Sequence, residues 1–401
     1  MTGPLRVATV ITRLDGGAGV LALRGALALD RGRFQVALIT GDVPGTGDRL
    51  LDQARQEGLE VIIEPELRAP VDPRHDAAAL RSLTDLLRRG SFDVVHTHTA
   101  KAGALGRIAA RRATVPRVVH TYHGFPFHEF QSPLRRAGYV AAERRLGRLT
   151  DLALCVGTGV AVEAIRRRLL PPERIATIGV VVPDQPPPAP DARDRARKLL
   201  DLPPGAHVVG AVGRLTYQKA PEDFLAAIRE LGRLRAPGRP GGPGRPGGAP
   251  RPEVIGVWVG DGELAGRIAR LARSASGPRV VLAGDRADVP ELLPAFDVFA
   301  LPSRYEGLPT AVVEAMMSRI PVVATAVNAV SDVVVPGETG LLVPPRRPDL
   351  LAQAVSYLLN SPDSAALMAT AARMRLGTRF SAATLRDALT AAYTGAGKTS
   401  S

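Results

Sequence analysis

Two carboxylates, Glu306 and Glu314, lie in and just beyond the stretch Pro302-Ser303-Arg304-Tyr305-Glu306-Gly307-Leu308-Pro309-Thr310. An apolar run ends before Pro302 and a helical pattern opens near Pro309. Glu306 therefore falls in a strand-to-helix loop, Glu314 falls inside the helix, and both can face one ligand. Backbone N–H groups between Gly307 and Thr310, those of Gly307, Leu308 and Thr310 with the donor-less Pro309 among them, lie where a helix start holds an anion. Carboxylates accept hydrogen bonds from hydroxyl groups. Glu314 can also be read as a plain surface residue, but Ala311 to Met317 are otherwise apolar and a charge there needs a partner.

Upstream, Val212-Gly213-Arg214-Leu215-Thr216-Tyr217-Gln218-Lys219 carries two cations just past another apolar run. Two cations facing an amide-rich helix start make a phosphate clamp, in which a guanidinium can bond two oxygens at once. The alternative is a pair of solvated basic side chains. Gly260-Asp261-Gly262 and Gly284-Asp285-Arg286 end two further runs and could wall a nucleoside pocket.

Of the seven histidines, five fall in one window: His96, His98, His120, His123 and His128. Imidazole suits zinc and late transition metals, but no hydrolase-type carboxylate–histidine motif accompanies these. The other reading is a set of strand-end histidines that bond substrate hydroxyls. Near the N-terminus, Gly16-Gly17-Ala18-Gly19 would let the backbone approach an anion at a helix start. Gly17-Ala18-Gly19-Val20-Leu21-Ala22 also fits a dinucleotide fingerprint, with Asp42 about twenty residues on. Against a nicotinamide site, Arg13-Leu14-Asp15 intervene where that fingerprint wants a tight turn.

The elements that must position these residues follow a regular rhythm. Val/Ile-rich runs at 6–12, 35–40, 61–63, 93–98, 117–121 and 152–156 alternate with amphipathic stretches such as 76–89 and 102–112. Such alternation implies βαβ units and parallel sheets. A proline-rich stretch after Val180 reads as a linker. The rhythm then restarts, with strands expected at 207–212, 254–259, 279–283, 297–301 and 322–325. Residues 236–252 are Gly, Pro, Arg and Ala only, which cannot form a core and read as a disordered surface insertion. The expected class is α/β, with two Rossmann-like doubly wound domains, 1–183 and 184–380, facing each other across a cleft. A C-terminal helix and tail, 381–401, is expected to pack back on the first domain.

Composition bounds the function. At 401 residues the chain exceeds one ordinary core, and 45% hydrophobic with 23% charged residues is ordinary for a folded soluble protein. The net charge of +13, mostly arginine, suits an anionic partner: a nucleotide diphosphate, an anionic lipid leaflet or nucleic acid. The lone Cys155 forms no intrachain disulfide and fits a reducing compartment. No apolar stretch reaches about 18 residues and no signal-peptide pattern opens the chain. A cytoplasmic location is expected, with peripheral contact at the inner face of a membrane. That contact is suggested by Arg135-Arg136, Arg144-Arg145-Arg148 and Arg166-Arg167-Arg168, which could equally be solvated helix surface.

Together these residues resemble the retaining GT-B glycosyltransferases of family 4. The resemblance rests on the Glu-x7-Glu pattern at Glu306 and Glu314, Val-Gly-Arg-Leu-x-x-x-Lys ending at Lys219, and Val-Gly-Asp-Gly at 259–262. In the first domain it rests on Asp93 through His98 to Lys101-Ala102-Gly103, and on His120-Thr121-Tyr122-His123-Gly124-Phe125. It implies transfer of a sugar from a nucleotide-sugar donor, with a UDP-sugar favoured, to a sugar or lipid-linked acceptor. It also implies that no metal or other cofactor is needed, and nucleic acid is not among the partners. Catalytic roles would fall to His123 beside the reacting carbon, Glu306 at donor-sugar hydroxyls, and Arg214 and Lys219 at the diphosphate. Gly17, Gly213, Gly260, Asp261, Gly262, Arg286, Gly307, Leu308, Pro309, Thr310 and Glu314 would line the donor site, with Glu314 on the ribose. Gly16, His98 and Lys101 are candidates on the acceptor side. The chain departs from the family at Ile178-Gly179-Val180-Val181, at Val20-Leu21 and in the 236–252 insertion. Envelope or exported polysaccharide or glycolipid synthesis is the expected setting. Natural-product tailoring is the alternative, with a nicotinamide-dependent oxidoreductase or a non-catalytic sugar-nucleotide binder behind it.

Overall fold

The computed structural model describes residues 3–42, 48–127, 131–179, 189–235, 252–274, 277–377 and 380–395. The proline-rich linker after Val180, His128, and all of the Gly/Pro insertion except residue 252 lie outside the described residues. The chain divides into two compact units, residues 1–183 with 380–401 and residues 184–379.

In the first unit, seven parallel strands run in the order β3-β2-β1-β4-β5-β6-β7. They are β1 Leu5–Ile11, β2 Phe34–Thr40, β3 Glu60–Ile63, β4 Val94–His98, β5 Arg117–Tyr122, β6 Leu152–Cys155 and β7 Ile175–Thr177. In the second, six parallel strands run β10-β9-β8-β11-β12-β13. They are β8 His207–Val212, β9 Val254–Val259, β10 Val280–Leu282, β11 Val298–Leu301, β12 Val322–Thr325 and β13 Leu341–Val343. Helices connect the strands, so each unit is the Rossmann-like, doubly wound α/β type that the hydrophobic rhythm predicts. The two strands absent from the sequence reading, β7 and β13, are three residues each.

Strand order reverses between β1 and β4 in one sheet and between β8 and β11 in the other. Loops leaving the carboxyl ends of those strands part in opposite directions, and the space between them is where open α/β sheets bind ligands. One sequence device recurs at the opposite, amino-terminal ends. An aspartate just before a strand accepts the free amide of the neighbouring strand: Asp93 from Arg6 N (2.8 Å), Asp151 from Val118 N (2.7 Å) and Asp297 from Val208 N (2.7 Å). This caps an edge of the ladder and sets the register of the central strands.

The C-terminal helix, Ala382–Thr394, belongs to the first unit. Its Leu385 and Leu389 lie against Gly25, where a Cβ would come within 3.1 Å of Leu389 Cδ1. Tyr393 is buried edge-to-face on Phe34 and hydrogen-bonds Nδ1 of the buried His96 at 2.7 Å. Removing that hydroxyl strands a ring nitrogen without water. Tyr393→Phe is expected to cost about 1–3 kcal/mol, read as a lower melting midpoint of the full chain. An unchanged midpoint would show that the helix is held by apolar packing alone.

Candidate functional site

The second unit places its chemistry at the β8/β11 reversal. Lys219 Nζ and Glu306 Oε1 form an ion pair at 2.5 Å, and Ser303 Oγ donates to the same oxygen at 2.6 Å. Gln218 Nε2 donates to Tyr305 O (3.1 Å) and reaches Glu306 Oε2 at 3.4 Å. Asn328 Oδ1, from beyond β12, accepts the Glu306 amide at 3.0 Å. The Glu306 side chain is 4% exposed and that of Lys219 18%. Glu306 is thus a nearly dry carboxylate held by the loops after β8 and β11, its amide anchored by Asn328, with Oε2 the less occupied oxygen.

Arg304 staples two of those loops together. Its amide donates to Gln218 O (2.8 Å), its guanidinium to Tyr217 O (2.7 Å), and it stacks 4.3 Å from the Tyr217 ring centroid. Arg214 stands nearby in sequence, exposed, with no ion pair among the described residues. The helix Thr310–Met317 starts at Pro309 with no side-chain cap, so the amides of Thr310 and Ala311 have no intrahelical acceptor. Glu314 is half-buried in that helix.

The glycines expected at a donor have a packing reason as well. A Cβ on Gly260 would lie 2.2 Å from Gly213 O, and one on Gly262 would lie 2.7 Å from Leu215 O. These contacts let the loops after β8 and β9 run backbone to backbone, with Gly213 N bonded to Val259 O and Leu215 N to Asp261 O, both at 2.9 Å. Asp261 is exposed and bonds the Gly262 amide at 2.7 Å. Arg286 is engaged by Asp288, with Nε to Oδ1 at 2.7 Å.

In the first unit the strand ends β4 and β5 bring four histidines together. His96 Nε2 bonds Thr121 Oγ1 (2.7 Å), and its Nδ1 bonds Tyr393. His120 Nδ1 bonds Thr97 Oγ1 at 2.8 Å. His98 Nδ1 meets His123 Nε2 at 2.9 Å. Burial pushes all four below the ordinary imidazole range, His96 to about 3 and His123 to about 4, so they are neutral near pH 7. Both nitrogens of His96 are used in these internal bonds, as is Nδ1 of His120. No group of three or more His, Cys, Asp or Glu among the described residues is arranged to hold a metal ion.

Lys101 is engaged too, paired with Asp76 at 2.5 Å and bonded to Pro70 O. Gly16 and Gly17 form the first turn of the helix Gly16–Ala28 rather than a loop before it. Gly16 has φ +56°, and a Cβ on Gly19 would lie 2.8 Å from the Leu14 carbonyl carbon. Thr12 and Thr99, from the reversal strands β1 and β4, bond each other at 3.0 Å, and Thr12 also caps the Ala102 amide at 3.0 Å.

Sequence reasoning assigned no role to Ser303, Gln218, Asn328, Thr12 or Thr99. Ser303 and Gln218 sit inside the stretches that carry the signal. Asn328 and the two threonines show none, because their roles depend on strand order.

Similarity to known proteins agrees with this geometry. Residues 15–185 match Glycosyltransferase Family 4, and residues 206–361 match Glycosyl transferases group 1. The chain belongs to that family and is a glycosyltransferase. It is similar to the Escherichia coli UDP-Gal:alpha-D-GlcNAc-diphosphoundecaprenol alpha-1,3-galactosyltransferase, with 32% identity over 74% of this chain and 72% of the relative. It is also similar to the alpha-D-kanosaminyltransferase of Streptomyces kanamyceticus, with 29% identity over 77% and 78%. Among solved structures, HepE of Anabaena with UDP and glucose superposes with a TM-score of 0.77 at 20% identity, covering 98% of this chain and 100% of that one.

The depressed imidazoles set a pH dependence. Each binds its proton more weakly folded than unfolded, so stability is full above about pH 6.5 and falls as pH drops toward 4. The melting midpoint is expected to decline over that window, and to decline less steeply in His123→Asn. Equal slopes would show that His123 is not a buried neutral imidazole.

Proposed function

We propose that this glycosyltransferase takes a UDP-sugar, holds it on the second unit, and transfers the sugar with retention of anomeric configuration. The proposed acceptor is lipid-linked, bound on the first unit, in assembly of an envelope or exported polysaccharide. The observation that carries the reading is the Lys219–Glu306 assembly at the β8/β11 reversal, beside an uncapped helix start and the exposed Arg214.

Each part has a chemical task. Breaking the glycosyl–phosphate bond builds negative charge on the leaving diphosphate. Lys219 has three N–H donors; one is held by Glu306, which leaves the others for phosphate oxygen. The amides at Thr310 and Ala311 and the guanidinium of Arg214 add donors to the same anion. Glu306 Oε2 accepts from donor-sugar hydroxyls, and Glu314 bonds the ribose. His123 sits beside the reacting carbon. Glu306 is not a nucleophile in this reading: its carboxylate is committed to Lys219 and Ser303, and the acceptor attacks from the face the diphosphate leaves.

Support for the nucleotide comes from HepE, whose solved complexes contain UDP and UDP-glucose. Support for a lipid-linked acceptor comes from the undecaprenol-dependent Escherichia coli relative. The alpha-D-kanosaminyltransferase of Streptomyces kanamyceticus keeps natural-product tailoring as a second reading.

Without added metal, UDP is expected to raise the melting temperature more than GDP, dTDP, ADP or NAD do. With the donor so named, Lys219→Ala and Glu306→Gln are expected to lower kcat by about 10²–10³. The anomeric proton coupling of the product reports retention directly. Stabilisation by NAD alone would overturn the whole reading.

Membrane contact is proposed through the helix Pro133–Gly147, where Leu134 is 85% exposed beside Arg135 and where Arg144 and Arg145 are also exposed. No helix among the described residues is long and apolar enough to cross a membrane. Arg166 and Arg167 contribute less, since both pair with Glu163. The chain is expected to float with phosphatidylglycerol vesicles at low salt and to lose that binding in Arg144→Glu/Arg145→Glu. Indifference to anionic vesicles would remove the membrane from the proposal.

A further inference from the structure

The two ring nitrogens of His98 have unequal surroundings. Nδ1 lies 2.9 Å from His123 Nε2, whereas Nε2 is fully enclosed with no hydrogen-bond partner. The side chain is 2% exposed. Beside it is a cavity of about 10 Å³ walled largely by Leu21, Ala22, Leu385 and Leu389, at the lower limit for one water. The neighbouring His96 offers no help, because both of its nitrogens are already bonded.

Only one proton lies between the two neutral rings. If His123 donated it, the His98 proton would sit on Nε2, a buried N–H with no acceptor. If His98 donates it, Nε2 is a bare lone pair, and a buried acceptor without a partner is tolerated more readily than a buried N–H. The second arrangement also leaves the His123 proton on Nδ1, the nitrogen that takes no bond from the described residues.

We propose that His98 is a positioning residue that donates Nδ1–H to His123 Nε2 and so holds His123 as the Nδ1–H tautomer, a hydrogen-bond donor toward the sugar substrate. The step that assigns His123 to the sugar rests on the function proposed above; the tautomer itself does not. Held this way, His123 offers a proton to a sugar oxygen and cannot serve as a general base at that nitrogen. Its burial keeps the ring neutral at working pH, so the tautomer and not the charge carries the information.

The test is a long-range ¹H–¹⁵N correlation spectrum of the full chain labelled at histidine, without substrate, assigned with His123→Asn. Wild-type His123 is expected to show a protonated Nδ1 and a bare Nε2. A spectrum with the proton on His123 Nε2 overturns the proposal. His98→Asn places an amide N–H where Nδ1 stood, and His98→Leu places nothing there. His98→Leu is expected to scramble the His123 tautomer and lower kcat on the order of tenfold, and His98→Asn to restore most of both. Should His98→Leu fail to fold, the wild-type spectrum and the His98→Asn tautomer still decide. Wild-type kcat in a folded His98→Leu overturns the positioning role. Because the spectrum is read without turnover, a failure of His123 in sugar transfer is distinguishable from a failure of the tautomer lock.

Discussion

The Glu306 carboxylate is held almost entirely out of water, and much of the second unit's loop structure answers that constraint. An ionised carboxylate loses several kcal/mol of solvation on burial unless a counter-charge and further donors take the place of water. Here they come from separate segments, Lys219 and Gln218 from the loop after β8 and Ser303 from the loop after β11, while Asn328 from beyond β12 accepts the Glu306 backbone N–H. Those segments converge only because strand order reverses between β8 and β11. Gly213, Gly260 and Gly262 then let the neighbouring loop press backbone against backbone, with Trp258 Nε1 bonding Gly213 O at 2.8 Å beneath them. The ion pair is weak evidence for stability, since its attraction largely offsets its own desolvation. Its effect is geometric: a cation and a carboxylate stay fixed where neither has water to rearrange.

The first unit meets its own burial constraint by the opposite means. Its strand ends carry rings kept neutral by desolvation, each matched to a hydroxyl or another ring. Neutral imidazoles can be buried without counter-charges of their own. A buried charge pair borders them, where Arg107 and Glu143 meet at 2.9 Å and Tyr122, whose ring packs 4.5 Å from that of His120, donates to the same carboxylate at 3.0 Å. That network ties the helices Ala100–Arg112 and Pro133–Gly147 to the end of β5, one residue before His123.

Much of this was legible in the residues. Val/Ile runs alternating with helical stretches carry the α/β class because buried parallel strands must be apolar on both faces. That Glu306 and Lys219 stand at strand ends was legible because their loops hold unusual clusters of charge. What was not legible depends on pairing order or on contact. Thr12 bonding Thr99, and Asn328 bonding the Glu306 amide, require knowing which strands are neighbours. That Lys101 is tied to Asp76 and Arg286 to Asp288 requires three-dimensional partners, and a basic residue in a motif looks the same whether engaged or free. His96 and His120 read as strand-end chemistry for the same reason, since a sequence does not show that Tyr393, nearly three hundred residues away (|i−j| = 297), closes over the first of them.

The distribution of cations separates two tasks that a net charge of +13 leaves merged. Several arginines are committed: Arg197 to Asp297, Arg304 to Tyr217 and the acids at 222–223, Arg166 and Arg167 to Glu163. Lys219 is pre-held and mostly buried, its side chain 18% exposed, so its field acts at close range and is less screened than that of a solvated cation. Arg214 is exposed, so its attraction for an anion reaches outward but is damped over about a Debye length of roughly 8–10 Å in salt. A fixed cation suits stabilising a transition state, and a solvated one suits drawing in and adapting to a polyanion that arrives hydrated. Two cations five residues apart in one loop therefore differ in exposure and freedom because a single carboxylate, Glu306, pairs with Lys219 and not with Arg214.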